Sequence, residues 1–264
     1  MNNTPIVGYR AMVNRATGEV MTTPTPVYLE DVVRGEVHPS QPLLRYMDLW
    51  KFKDLLETKS LYFSRADKFE DPLEGTLSEK SVYRTSTSDV SQDSVISYSA
   101  DAYERELEYR DTAKAATFVN CWHINEDESQ EMWEAYTSST SSMLLITTAE
   151  KLTASLHEKV IMSPVRYVAS DDPRTELFER DLFFYKDEAF RFEQEYRLLI
   201  DLGMEAVGRR VSRDGPEDFG RRVIVDIERL VYGIKAHPMA TNEDVIELNK
   251  LIREHLPHVI ECHR

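Results

Sequence analysis

Apolar positions in this chain fall into short runs of two periods, and the spacing within each run predicts its element. Leu43-Leu44-Arg45-Tyr46 is a compact apolar run that reads as a strand. Behind it Leu49, Phe52, Leu55 and Leu56 recur at helical spacing, with Asp48 placed to cap the helix. Leu61-Tyr62-Phe63-Ser64 reads as a second strand, and residues 65–75 as a loop in which Pro72 forbids a helix and Gly75 ends the turn. Further predicted elements are a helix over 98–116, a strand over 118–124, a helix from the Ser129 cap to Tyr136, a strand over 143–147 and a short helix over 149–156. The stretch 160–168 is extended around Pro164, and 176–193 reads as one long helix with Leu177, Phe184, Phe190 and Phe192 on its buried side. Tyr196-Arg197-Leu198-Leu199-Ile200 alternates poorly but is compact and apolar, which suits a strand covered on both faces. Two last strands are predicted over 223–227 and 230–234. Thr241 with Asp244 three residues on then forms a capping-box signature ahead of a helix carrying Val245, Leu248, Leu251 and Ile252.

Residues 1–40 are polar, carry Pro24, Pro26 and Pro39 and show no sustained period, so they read as an arm laid on the surface. Residues 41–264 read as one domain, interrupted by a Ser-, Thr- and Asp-rich segment at 78–99 with the composition of a mobile insertion. Strands and helices mix without repeats or regular βαβ alternation. The predicted fold class is therefore α+β, a single mixed-sheet domain with flanking helices.

Charge and composition narrow the partners. With 47 acidic against 32 basic side chains the net charge is −15, which opposes nonspecific binding to nucleic acid or an anionic membrane surface. A nucleic-acid partner would need the basic run Arg209, Arg210, Arg213, Arg221 and Arg222, which in a Gly- and Pro-punctuated segment reads as a solvated loop. No apolar run approaches the roughly 20 residues that span a bilayer, and no signal-peptide pattern opens the chain. A cytoplasmic location is expected. Nine glycines leave no glycine-rich phosphate loop of either standard spacing.

Candidate chemistry concentrates in two islands. Asn120-Cys121-Trp122-His123, the acidic turn Glu126-Asp127-Glu128 and Met132-Trp133-Glu134-Ala135-Tyr136 place two of three tryptophans beside a cysteine and a histidine. Large rings with a polar handle suit either a pocket wall or a core. The pairs Cys121/His123 and Cys262/His263 fit no standard zinc spacing, so no metal is expected. The second island is Glu193-Gln194-Glu195, whose carboxylates share one side if the backbone there is extended. If helical instead, Glu193 and Arg197 form an i,i+4 surface pair. Arg45 could face solvent, or be the buried partner of Glu195.

Leu44-Arg45-Tyr46, Leu61-Tyr62-Phe63-Ser64, Asp71-Pro72-Leu73-Glu74, the stretch from Cys121 to Tyr136, and Phe192-Glu193-Gln194-Glu195-Tyr196-Arg197 together resemble the bacterial family labelled domain of unknown function 2971. The chain departs from it at Glu70 and at Ser141-Ser142, and the family name carries no reaction. An arginine on a first strand, a helix, a second strand ending in Tyr-x-Ser and a late Glu-x-Glu also resemble ADP-ribosyltransferases. That likeness implies NAD as co-substrate. Arg45 would steady the NAD phosphate or ribose, Ser64 would brace the site, and Glu195 would stabilise the charge that develops as the nicotinamide bond breaks, with Glu193 beside it. Tyr46, Tyr62, Trp122, His123, Trp133 and Tyr136 would line the nucleotide pocket. The implied function is an NAD-consuming transferase or glycohydrolase of a toxin or defence effector, its acceptor unspecified. The competing class is a noncatalytic ligand-sensing or protein-interaction module using the same cleft.

Overall fold

The structure is a computed structural model, and it describes residues 6–13, 20–27, 37–69, 71, 74–75, 113–169, 179–201 and 219–260. The chain divides into two compact units, Met1–Glu36 and Val37–Arg264. The segment predicted as an arm without regular structure carries two antiparallel strands, β1 (Ile6–Val13) and β2 (Val20–Val27). Pro24 and Pro26 argued against a strand there. A two-stranded pair tolerates them because prolines two residues apart can both turn their nitrogens to the open edge.

The larger unit is α+β, built on one eight-stranded sheet whose pairings are all antiparallel. Its strands are β3 (Pro42–Asp48), β4 (Ser60–Arg65), β5 (Thr117–Ile124), β6 (Ser142–Thr148), β7 (Ile161–Pro164), β10 (Glu195–Asp201), β11 (Gly220–Ile224) and β12 (Gly233–Ala236). β8 (Arg166–Val168) and β9 (Tyr185–Asp187) form a separate parallel pair. β10 lies along β5 from Thr117 to His123, so β3 and β4 must share the other edge of β5. β3 pairs there at His123 and Ile124, and β4 at Phe118 and Val119. The sheet therefore forks between them. Asn120 fills the fork: its amide nitrogen donates to the Tyr62 carbonyl at 2.8 Å, and its oxygen accepts from the Trp122 indole at 2.8 Å.

Alternation along β3, β5 and β10 sorts the core into two sides. Side B holds Leu43, Met47, Phe63, Phe118, Trp122, Tyr196 and Leu198, packed against α1 (Leu49–Thr58), α3 (Ala149–Ser155), α4 (Ile227–Leu230) and α5 (Asn242–His255). Side A holds Leu44, Tyr46 and Leu144 under Met132 and Trp133 of α2 (Gln130–Tyr136), and Val119 and Leu199 under Phe183 and Phe184. Ser129 caps α2 by accepting from Met132, and its own N–H donates to the Tyr46 hydroxyl at 2.7 Å. No helix among the described residues is long and apolar enough to cross a membrane.

Several local expectations are met. Thr241 and Asp244 make the full capping box at the start of α5. Asp48 does stand at the N-cap position of α1, yet its side chain caps nothing. Its carboxylate instead accepts from Ser138 N–H at 2.8 Å, Ser138 Oγ at 2.9 Å and Ser142 Oγ at 3.2 Å. Burial would raise its pKa, but these bonds and the Lys51 charge hold it below the ordinary value. The long helix predicted over 176–193 is absent from its described part. Two 3-10 turns, Glu179–Phe184 and Glu188–Glu193, flank β9. Phe190 and Phe192 are two apart and cannot share a helix face, and Gln194 takes a left-handed conformation (φ 38°) that ends the second turn. The predicted strand over 230–234 is also displaced, since 227–230 is helical and β12 begins at Gly233. The 78–99 insertion and nearly all of the 98–116 helix lie outside the described residues.

Gly220 shows why β4 and β11 approach as they do: a Cβ there would fall 2.1 Å from the Tyr62 ring. Gly220→Ala is expected to push the exposed Tyr62 ring aside and to destabilise by no more than about 1 kcal/mol, the low end for overpacking. Thermal unfolding of the variant checks this.

Candidate functional site

β10 starts at Glu195, and alternation sends Glu195, Arg197 and Leu199 to side A, in register with His123, Cys121 and Val119 of β5. Arg197 lies two residues from Glu195 and so grips it side by side: Nε donates to Oε2 at 2.7 Å and Nη2 to Oε1 at 3.0 Å. Its remaining nitrogen donates to the Phe183 carbonyl at 2.6 Å, and Nη2 also pairs with Glu74. Lys186 of β9 donates to Glu195 Oε1 at 2.9 Å and to Glu193, while lying 4.6 Å from the Phe190 ring centroid. Three carboxyl groups and two cations thus converge, each residue less than a tenth exposed. Around them, the Tyr167 hydroxyl accepts from the Glu195 N–H at 2.8 Å, and burial together with the nearby Glu195 and Glu193 charges raises the pKa of the Tyr136 hydroxyl. Tyr136 is 37% exposed, while each of the five clustered residues is buried.

The two central glutamates behave differently. Burial pushes the Glu193 carboxyl up to about 7, reinforced by its hydrogen bond to Glu195 and the Glu195 charge, and only partly offset by Lys186. Burial also acts on Glu195, but the charge and hydrogen bonds of Arg197, the bond from Glu193 and the Lys186 charge prevail, and its carboxyl is held well below the ordinary value. Burial opposes the charge on Arg197, yet Glu195 and Glu74 keep it firmly protonated. Burial raises the Glu74 carboxyl as well, opposed in part by the Arg197 charge. Burial holds the Cys121 thiol well above its ordinary pKa, so it is not a thiolate nucleophile at neutral pH.

Glu193 and Glu195 meet as the sequence suggested, though by another route. Glu193 closes a 3-10 turn and the left-handed Gln194 swings it back onto Glu195, so the two are not successive positions of one strand. The alternative i,i+4 surface pair of Glu193 with Arg197 is not formed. Ser64, Tyr46, Tyr62 and His123 also fall on side A, and α2 brings Trp133 and Tyr136 to that side. Ser64, however, pairs with Val119, four residues along β5 from His123, or about 13 Å at strand rise. Arg45 is the clear departure. It follows Leu44 on β3, lies 5.6 Å from the Trp122 ring centroid and belongs to side B, so Arg45 and Trp122 are on the opposite face from Ser64 and Glu195. One residue of register decides this, and Arg45 shares no cleft with either. Nor is it the buried partner of Glu195, a place Arg197 takes.

Trp122, His123 and Trp133 are sealed, at 2%, 2% and 4% exposure. Trp122 is tied to Asn120, Trp133 donates to Glu128 at 3.1 Å, and His123 bonds the Glu193 carbonyl through Nδ1 at 2.7 Å and Asn125 through Nε2 at 3.2 Å. Burial lowers the His123 pKa, opposed by the bond to Glu193, which leaves the ring neutral. These three are core rings, and of the rings expected at the site Tyr62 and Tyr136 are the exposed ones. Among the described residues no three of His, Cys, Asp and Glu converge as metal ligands. Of the basic run, Arg221 and Arg222 sit on β11 and pair with Glu158 and Asp54, at 2.6 and 2.7 Å. Arg209, Arg210 and Arg213 lie outside the described residues.

Glu74, Lys186, Arg197 and Tyr167 were not among the residues expected at the site. Arg197 carried a signal, since its two-residue spacing from Glu195 on a strand puts both on one side. Lys186 carried none, because only the fold brings β9 to β10. Comparisons of the chain with family models, curated proteins and solved structures return no significant match.

Proposed function

We propose that the protein is an acid–base enzyme of the cytoplasm acting on a small nucleotide, in the form of an NAD-consuming glycohydrolase or transferase of ADP-ribosyltransferase type. The observation that carries this is Glu193, a carboxyl whose burial, reinforced by the ionised Glu195 beside it, holds its pKa near neutrality, with the partly exposed Tyr136 nearby. A carboxyl titrating near the working pH both takes and gives a proton readily, and such groups cluster at active sites. The sequence likeness supplies the substrate class. Glu193 takes the proton from the water or acceptor hydroxyl that attacks the ribose anomeric carbon, the bond to nicotinamide breaks, and nicotinamide leaves with the bonding electron pair. Glu195, neutralised by Arg197 and Lys186, positions Glu193 rather than facing the ribose. The likeness to the family labelled domain of unknown function 2971 supports the single-domain reading and names no reaction.

The first reading fits a toxin or defence effector; the second reading is a noncatalytic ligand-sensing or protein-interaction module using the same cleft. It is favoured by the burial of Trp122, His123 and Trp133, which leaves few open rings to hold a nucleotide. Incubation of the protein with NAD, followed by quantification of free nicotinamide, separates the two. Release above the background of NAD alone, lost in Glu193→Gln, supports the enzyme. A wild-type protein that binds no NAD and frees no nicotinamide ends that proposal and leaves the module.

A further inference from the structure

Arg45 takes no part in the Glu193 corner, and its surroundings differ from those of the other arginines. Arg65, Arg191, Arg197, Arg221, Arg222 and Arg229 each hold a carboxylate. Arg45 is half-buried at the point where β3 leaves β5, with the Trp122 ring at 5.6 Å, and among the described residues its side chain makes no ion pair and no hydrogen bond. The indole N–H of Trp122 is committed to Asn120, so the ring offers only its π system and cannot neutralise the cation. Burial lowers the Arg45 pKa to about 10, which still leaves it charged at neutral pH. A desolvated cation without a counter-charge is costly to the fold, and replacing it by an apolar side chain of similar length should relieve that cost.

We infer that Arg45 forms an anion-binding site on side B, separate from the Glu193 corner, that takes the carboxylate or phosphate group of a small ligand. The planar guanidinium presents parallel N–H donors that match either group bidentately, and the Trp122 ring lies 5.6 Å away. This inference does not depend on the proposed reaction.

The test uses the full-length protein, inorganic phosphate and acetate as the two probes, and chloride at matched ionic strength as the control, because any salt screens the self-repulsion of a chain carrying −15. Thermal unfolding and tryptophan fluorescence are followed for the wild type, Arg45→Met and Arg45→Lys. Without anion, Arg45→Met is expected to unfold a few degrees above the wild type. Phosphate or acetate should raise the wild-type midpoint saturably beyond chloride, and whichever acts better names the ligand group. That response should be at least about tenfold weaker in Arg45→Met and partly kept in Arg45→Lys. An anion-free Arg45→Met that unfolds below the wild type would show a structural partner for the arginine and overturn the site. So would a phosphate or acetate response that survives the substitution, or a wild type that responds to neither probe beyond chloride.

Discussion

Arg197→Met is expected to lower the free energy of unfolding by about 3–5 kcal/mol, the range for removing one partner of a buried ion pair. Arg197 is 1% exposed and holds both Glu195 oxygens, Glu74 and the Phe183 carbonyl. Without it, Glu195 and Glu74 face one cation, Lys186, and neither can reach water. Part of the loss should be recovered by protonation, so the variant should be relatively less impaired at acid pH. Arg197→Lys should cost less, keeping the charge but losing the two-pronged grip on Glu195. Chemical denaturation of the three proteins at pH 5 and pH 7 checks these statements. A cost near zero at both pH values would mean that the network is solvated.

Glu193→Gln is expected to have the largest effect on activity, a fall of roughly 10²–10⁴, the usual worth of a positioned proton-transfer group. It should also change how stability depends on pH. In the folded protein Glu193 keeps its proton up to about 7, from an ordinary value of 4.5, whereas Glu195 is ionised well below 4.5. Once the unfolded chain has lost both protons, the folded state alone still binds one, so stability falls as pH rises through 7. At strongly acid pH the sign reverses, because the unfolded chain then binds the proton that folded Glu195 refuses. The loss on rising pH accumulates between pH 4.5 and about 7, is on the order of 3 kcal/mol, and levels off above that. Glu193→Gln removes that slope and leaves the acid limb, which Glu195 sets. Stability of the wild type and the variant, measured from pH 5 to pH 8, reads the difference directly, and parallel curves would count against the assignment.

How much of this was legible beforehand depended on the range of the interaction. The start of α5 follows from Thr241 and Asp244 alone, because a capping box is closed within four residues. α1 was equally legible as a helix, but the work of Asp48 was not, since its partners Ser138 and Ser142 lie some 90 positions away. The aromatic run before Glu193 suggested a helix because local spacing does not reveal that Phe183 and Phe184 pack under Val119 and Leu199. Glu193 and Glu195 stood out by spacing. Their difference in acidity did not, because it depends on Lys186 and Arg197. The side on which Arg45 lies was hidden for a related reason: alternation separates it from Leu44 and Tyr46, but only the register of β3 on β5 says which side Glu195 shares.

The central claim is that Glu193 holds its proton near neutrality beside an ionised Glu195. Carbon-13 NMR of the glutamate side-chain carboxyls, with Glu193 assigned by its disappearance in Glu193→Gln, measures this directly. The predicted result is one carboxyl resonance titrating with a midpoint near 7 that is lost in the variant. A Glu193 resonance titrating at or below the ordinary 4.5 would contradict the account.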